Sequence, residues 1–210
     1  LRVDRMRVGS FSQKYSFQGS TSGYTSGGDR PPLVKVNTID KFPFAADANA
    51  TDVGDLTQSR YQAAGQSSND NGYVSGGYAL PAPTQYKDTI DKFPFSADAN
   101  ATDVGDLTRT ANNVTGQSSE SNGYTSGSSI IDKFPFSVDA NATDVGDLTQ
   151  VRHTVAGQSS ATHGYTSGGR PEHKNTIDKF PFSVDENATD VGDLTQARYA
   201  AAGQSSSENG

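Results

Sequence analysis

The chain has 210 residues, a net charge of −7 and no cysteine. The missing thiols exclude disulfides, thiolate metal sites and thiol catalysis. The acidic balance excludes a general nucleic-acid binder, which needs clustered Lys and Arg against phosphates, and no apolar run is long enough to span a membrane.

Residues 1–12 are expected to form an N-terminal arm or part of a structural unit; their basic cluster, Arg2, Arg5 and Arg7, reads as solvated. Lys14–Gly19 mimics Arg60–Gly65, so a complete first unit is expected over 13–57. Within it, Ile39-Asp40-Lys41-Phe42-Pro43-Phe44 is the first copy of a hexapeptide that recurs at 90–95, 131–136 and 177–182. Gly-Gln-Ser-Ser follows each copy, starting at Gly65, Gly116, Gly157 and Gly203. A period of about 46 residues means one supersecondary unit copied in series. Further units are expected over 58–108, 109–149 and 150–195, with the first strand of another over 196–210. Four units with loose ends predict a piece of a longer repeat protein, or closure by another copy of the chain. Hydrophobic residues make up only 32%, a level at which disorder competes with folding. The fixed register of the aromatics decides for folding.

One repeat, 151–195, shows the predicted elements. Val151–Ala156 reads as a strand ending at Gly157, and Gly164–Gly169 as a second strand closing in a glycine pair. Asn175–Phe182 is a third, and Val191–Thr195 a fourth. Short β-rich segments punctuated by Gly, Asn, Asp and Ser predict an all-β fold. No stretch has the apolar 3.6-residue period of a helix. The recurring Phe-Pro-Phe is expected in the core between units.

Four short strands per repeat is the arithmetic of a β-propeller blade. Gly-Tyr-x-Ser-Gly-Gly, as at Gly164–Gly169, resembles the glycine doublet of kelch repeats, and Arg60, Arg152 and Arg198 resemble their basic residue at the start of the next blade. The usual kelch Trp is absent, with Val53 or Leu56 expected to fill its volume. Between strands three and four, Ser137–Thr143 resembles the Asp-box of sialidase-type propellers; Ser96–Thr102 and Ser183–Thr189 match equally, and the first copy has Ala45 for Ser. The resemblance implies a kelch-like propeller of four-stranded blades. It also implies structural turns at Asp47, Asn49, Thr51, Asp98, Asn100, Thr102, Asp139, Asn141, Thr143, Asp185, Asn187 and Thr189, with each Asp side chain holding backbone N–H groups of its own turn. The Asn-x-Thr sequons, Asn113 included, read as turn chemistry.

Loops between the second and third strands, 29–38, 78–89, 128–130 and 170–176, vary in length and share one face. Variable loops on a rigid scaffold are where binding concentrates. Arg30, Tyr78, Tyr86, Arg170 and His173 are the candidate binding residues there. Asp139, Asn141 and Asp144 offer oxygen ligands that a Ca²⁺ could use, but the spacing departs from a calcium loop. No cofactor is otherwise expected. The three histidines do not recur across repeats, and no nucleophile–base–acid set is visible.

These readings predict a non-enzymatic, structural or adhesive propeller. The near-identical repeats resemble those of marine bacteriophage virion proteins, particularly of phages of cyanobacteria. That implies a tail, fibre or capsid-decorating component in a virion or extracellular setting. Its partners would be other virion proteins, copies of itself or a host-surface glycan. A lectin propeller and an Asp-box glycoside hydrolase are the alternatives.

Overall fold

The computed structural model describes residues 19, 21–32, 34–79 and 85–206. The arm expected over 1–12, residues 14–18 of the segment expected to complete the first unit, residues 80–84 of one variable loop and the last four residues lie outside them. The described residues form fourteen strands and no helix. The first sheet holds β1 (Ser22–Arg30), β2 (Val34–Pro43) and β3 (Thr51–Asp55). The second holds β4 (Ala64–Ser67), β5 (Asn71–Ser75), β6 (Lys87–Pro94) and β7 (Thr102–Ala111). The third holds β8 (Thr115–Ser118), β9 (Asn122–Pro135) and β10 (Thr143–Arg152). The fourth holds β11 (Ala156–Ser159), β12 (His163–Ser167), β13 (Thr176–Pro181) and β14 (Thr189–Asp193). Each is an antiparallel meander in chain order.

The third sheet reaches the same plan with three strands. The Phe134 ring covers Gly123, and the Phe136 N–H donates to Ser121 O at 2.9 Å, so β9 doubles back on itself. The reversal sits at Gly127 and Ser128, both with positive φ. Its two arms take the places of the second and third strands elsewhere.

The strand expected at Val151–Ala156 lies further along, at Ala156–Ser159; residues 151 and 152 instead finish β10. The reason is close packing. The first strands of successive sheets run side by side, and a Cβ on Gly116 would collide with Gly65 O. Gly-Gln-Ser is therefore strand rather than turn. Gln66 Nε2 donates to Ser75 Oγ in its own sheet and to Tyr124 O and Thr125 Oγ1 in the next, each at 2.9 Å. Gln117 does the same with Ser126, Tyr165 and Thr166. The links between sheets repeat as well: Gln62, Asn113, Thr154 and Ala200 all adopt φ of 54–59°. Asn113 N–H donates to Gln62 O, Thr154 N–H to Asn113 O, and Ala200 N–H to Thr154 O.

One joint seats each sheet on its predecessor. Tyr73 stacks on Phe136 at 4.9 Å and tilts against Phe134 at 5.5 Å. Tyr24 meets Phe95 and Phe93 in the same way, as Tyr124 meets Phe182 and Phe180. Phe93, Phe134 and Phe180 are buried, as Phe-Pro-Phe predicted, and each such ring contributes about 2 kcal/mol by burial. Leu56 is buried in the same cluster as Ile39 and Phe93, with Val53 packed against it.

The Asp-box-like segments complete the joint, but across sheets rather than within their own turns. Asn100, Asn141 and Asn187 each accept through Oδ1, at 3.0 Å, the N–H of Asp55, Asp106 or Asp147 of the preceding sheet. Ala101, Ala142 and Ala188 plug the preceding core. Their entry needs glycine: a Cβ on Gly105 (φ +151°) would stand 2.6 Å from Ala140 O. Asp98 pairs with Lys41 at 2.9 Å, Asp139 with Lys92, and Asp185 with Lys133 at 2.5 Å. These aspartates thus clamp neighbouring sheets instead of holding their own backbone N–H groups.

Beneath the sheets lie buried ion pairs. Arg60 Nη2 stands 2.9 Å from Asp91 Oδ2, and Arg152 Nη2 stands 2.8 Å from Asp178 Oδ2, with all four side chains 0% exposed. Thr57 and Thr149, from the preceding sheet, donate N–H and Oγ1–H to the same carboxylates. Arg198, at the same repeat position, is exposed.

Candidate functional site

The variable-loop edge carries a groove of about 660 Å³. It draws Tyr86 from the link before β6, Arg109 and Asn112–Val114 from the end of β7 and beyond, Ser128 from the β9 turn, His153 after β10, and Arg170 after β12. Three sheets therefore contribute. Tyr86 is 51% exposed. It is held edge-on by Tyr78, which meets Tyr61 in the same manner. Lys35 Nζ caps the Tyr61 ring at 3.9 Å.

The floor is held by main-chain bonds. His153 N–H donates to Arg170 O at 2.8 Å, and Arg170 N–H returns to His153 O at 3.0 Å. Arg170 Nε donates to Thr154 Oγ1 at 3.2 Å. Thr154, at φ 56°, takes the positive-φ conformation that this link position adopts in each unit. Asn112 Nδ2 donates to Gln62 Oε1 at 3.2 Å.

Arg109 owes its place to a break in the repeat. Where Arg60 and Arg152 stand in their units, the third unit has Ala111, and its arginine comes two residues earlier. Arg109 Nη2 donates to Gly127 O at 2.7 Å, and its buried Nε finds no partner among the described residues. Asp132, the counterpart of Asp91, accepts from Thr108, through Oγ1 at 2.7 Å and N–H at 3.3 Å, and is in no ion pair among the described residues. Burial pushes the Asp132 carboxyl up, and the Thr108 bonds oppose it. Burial also pushes the His153 imidazole down, and Arg109 and Arg170 push it the same way. No carboxylate lines the groove among the described residues.

Of the five residues expected to bind, Tyr86 and Arg170 line this groove, and Tyr78 supports it. His173 packs on the Tyr199 ring at 5.0 Å, the ring that the Arg170 guanidinium also lies over, at 5.6 Å. Arg30 is an exposed residue at the end of β1 and does not line the groove. Arg109, His153, Asn112 and Asn113 were not expected, because they sit on links between units rather than in the variable loops. The out-of-register arginine, with Ala111 standing where Arg60 and Arg152 stand elsewhere, was the available signal. The three oxygens considered for calcium do not converge. Asp139 pairs with Lys92, Asn141 accepts from Asp106 N–H, and Asp144 accepts from Gly146 N–H. No group of three or more His, Cys, Asp or Glu suited to a metal occurs among the described residues. No helix among them is long and apolar enough to cross a membrane.

No family model and no curated protein matches the sequence. The fold does have solved counterparts. A structure titled "Structure of YjhT" superposes with a TM-score of 0.65 at 10% identity, covering 76% of this chain and 60% of that one. The chain therefore spans less than two thirds of that structure's length. At this identity the likeness concerns the fold alone.

Proposed function

We propose that the chain is a non-enzymatic β-propeller-type module for adhesion, and that its loop-edge groove takes an acidic glycan. The single observation behind the ligand class is the groove's composition. Two guanidinium groups, two amides and one exposed phenol ring converge where no carboxylate competes. Guanidinium forks suit carboxylate or sulfate groups. The amides suit sugar hydroxyls, and Tyr86 offers an apolar face to the pyranose C–H groups. The propeller reading draws support from the joint, since one heterologous contact repeated between like units applies one rotation each time. A virion tail, fibre or capsid role fits such a module and rests on the style of the repeats.

One observation favours binding over hydrolysis. Glycoside cleavage uses a pair of carboxylates about the scissile bond, and none lines this groove among the described residues. Arg109 and His153 also have no counterparts in the other repeats, which favours one groove over a lectin site per blade.

The test is binding of the purified chain to sialylated and sulfated oligosaccharides against their neutral parents, by calorimetry. Arg170→Ala together with Tyr86→Ala should weaken binding of the acidic ligands at least about 10-fold, as truncated charged and aromatic contacts do, with the fold intact by circular dichroism. Equal affinity for neutral and acidic sugars would remove the ligand class, and turnover of any glycan would remove the non-enzymatic reading.

A further inference from the structure

The loop-edge groove holds three basic side chains, and one of them titrates near neutral pH. Arg109 enters from the end of β7 and Arg170 from the link after β12, and the half-buried His153 lines the groove with them. No carboxylate lines it among the described residues, where Tyr86 is the remaining titratable side chain of the wall. Residues 80–84, in the loop before Tyr86, read Leu-Pro-Ala-Pro-Thr and bring no ionisable side chain.

His153 is fixed in place with its ring left uncommitted. Its main chain is locked to Arg170 by the reciprocal N–H to O pair. Neither ring nitrogen takes part in a hydrogen bond among the described residues. The two arginines are each anchored at one nitrogen: Arg109 Nη2 donates to Gly127 O at 2.7 Å, and Arg170 Nε to Thr154 Oγ1 at 3.2 Å. Arg109 Nη1 and both Nη groups of Arg170 make no hydrogen bond among the described residues. The other charges nearby are engaged or stand apart. Glu172 and Lys174 are 3.5 Å from each other, His173 packs on Tyr199, and Asp132 accepts from Thr108. Lys87, opposite Ala111 at the start of β6, does not line the groove.

A proton on His153 would add a third positive charge to a cleft with no counterion. Burial and the two guanidinium groups accordingly hold the imidazole below its usual value. An anion seated on the arginines reverses that balance. It offsets their charge, and it accepts the extra N–H that only the protonated ring offers.

We propose, on the reading of this groove as an acidic-glycan site, that the groove takes up a proton on His153 as the anion binds, so that capture tightens as pH falls below neutrality. Linkage fixes the sign. Between the values of the free and the occupied chain, the complex holds more protons, so affinity rises as pH falls through that window and levels off below the free value. His153 is thereby a contact whose strength is set by the acidity of the surroundings.

The probe is a sulfated oligosaccharide without carboxyl groups, whose charge is constant over the range. Calorimetry should give an affinity about 10-fold higher at about pH 5.5 than at about pH 7.5, the factor that tenfold tighter proton binding in the complex supplies. Repeating the titration in two buffers of different ionisation heat should show net proton uptake by the wild-type chain. His153→Gln should abolish the uptake and the pH dependence, whereas His173→Gln should keep both, with each fold checked by circular dichroism. Equal affinity at the two pH values, or binding without proton uptake, would overturn the proton linkage and leave the anion site standing. A pH dependence that survives His153→Gln, or one lost in His173→Gln, would place the proton elsewhere and overturn it as well. A probe that binds at neither pH would overturn the glycan reading of the groove and the linkage with it.

Discussion

Phe93 and Phe42 occupy the same place in the same hexapeptide, yet the structure predicts different costs for removing them. Phe93 is 4% exposed and shares a cluster with Ile39, Leu56, Val74 and Ala101. Its ring covers Gly72 and meets Tyr24 at 5.5 Å. The backbone of β5 and the Tyr24 ring are fixed by neighbouring sheets, so the space left by truncation cannot collapse. Phe93→Ala should therefore cost about 3–5 kcal/mol, in the range of buried aromatic-to-alanine changes. Phe42 covers Gly23 in the same way, but no preceding sheet covers it among the described residues, and it is 38% exposed. Phe42→Ala should cost about 1–2 kcal/mol, since part of its burial value is already unrealised. The assay is urea unfolding followed by circular dichroism, at a dilution where the chain is monomeric. The comparison rests on the shift in midpoint at unchanged slope. Equal shifts for the two variants would refute the joint as the source of stability, because the local sequence is the same and only the neighbouring sheet differs.

The buried pairs make a second contrast. Asp91→Asn leaves Arg60 charged and 0% exposed without its counterion, which should cost about 3–5 kcal/mol. Asp132→Asn breaks no ion pair among the described residues and should cost about 1 kcal/mol or less by the same unfolding assay. A third prediction concerns pH. Burial holds His153 and His163 below their usual imidazole range, so the unfolded chain takes up their protons first. Their contribution is complete above the unfolded value of about 6.5 and declines as pH falls through that value towards the folded one. His153→Gln with His163→Gln should flatten the fall in stability between about pH 7 and pH 5; an unchanged slope would count against the burial of these rings.

Much of the fold was legible because the repeats constrain it. The hairpins of the second and third strands, the glycine pairs and the buried Phe rings all follow from spacing and alternation. The first strand was misplaced because Gly-Gln-Ser looks like turn chemistry. Only the neighbouring strand, with Gly65 O against Gly116, shows why a side chain is excluded there. The Asp-box-like segment was read as self-contained, whereas its Asn and Asp side chains bond a sheet about one repeat away. A single repeat cannot reveal a partner in its neighbour. The groove was half visible. Tyr86 and Arg170 lie in variable loops, but Arg109 and His153 enter through a slipped arginine and a link between units, where sequence variation looks like drift.

The most direct measurement of the binding account is a two-dimensional amide NMR titration of the chain with a sulfated oligosaccharide. The account predicts that the largest shift changes fall on Tyr86, Arg109, Asn112, Asn113, His153 and Arg170, with the Asp-box-like turns unmoved. Shifts centred on Asp98, Asp139 and Asp185, or none at saturating ligand, would contradict it.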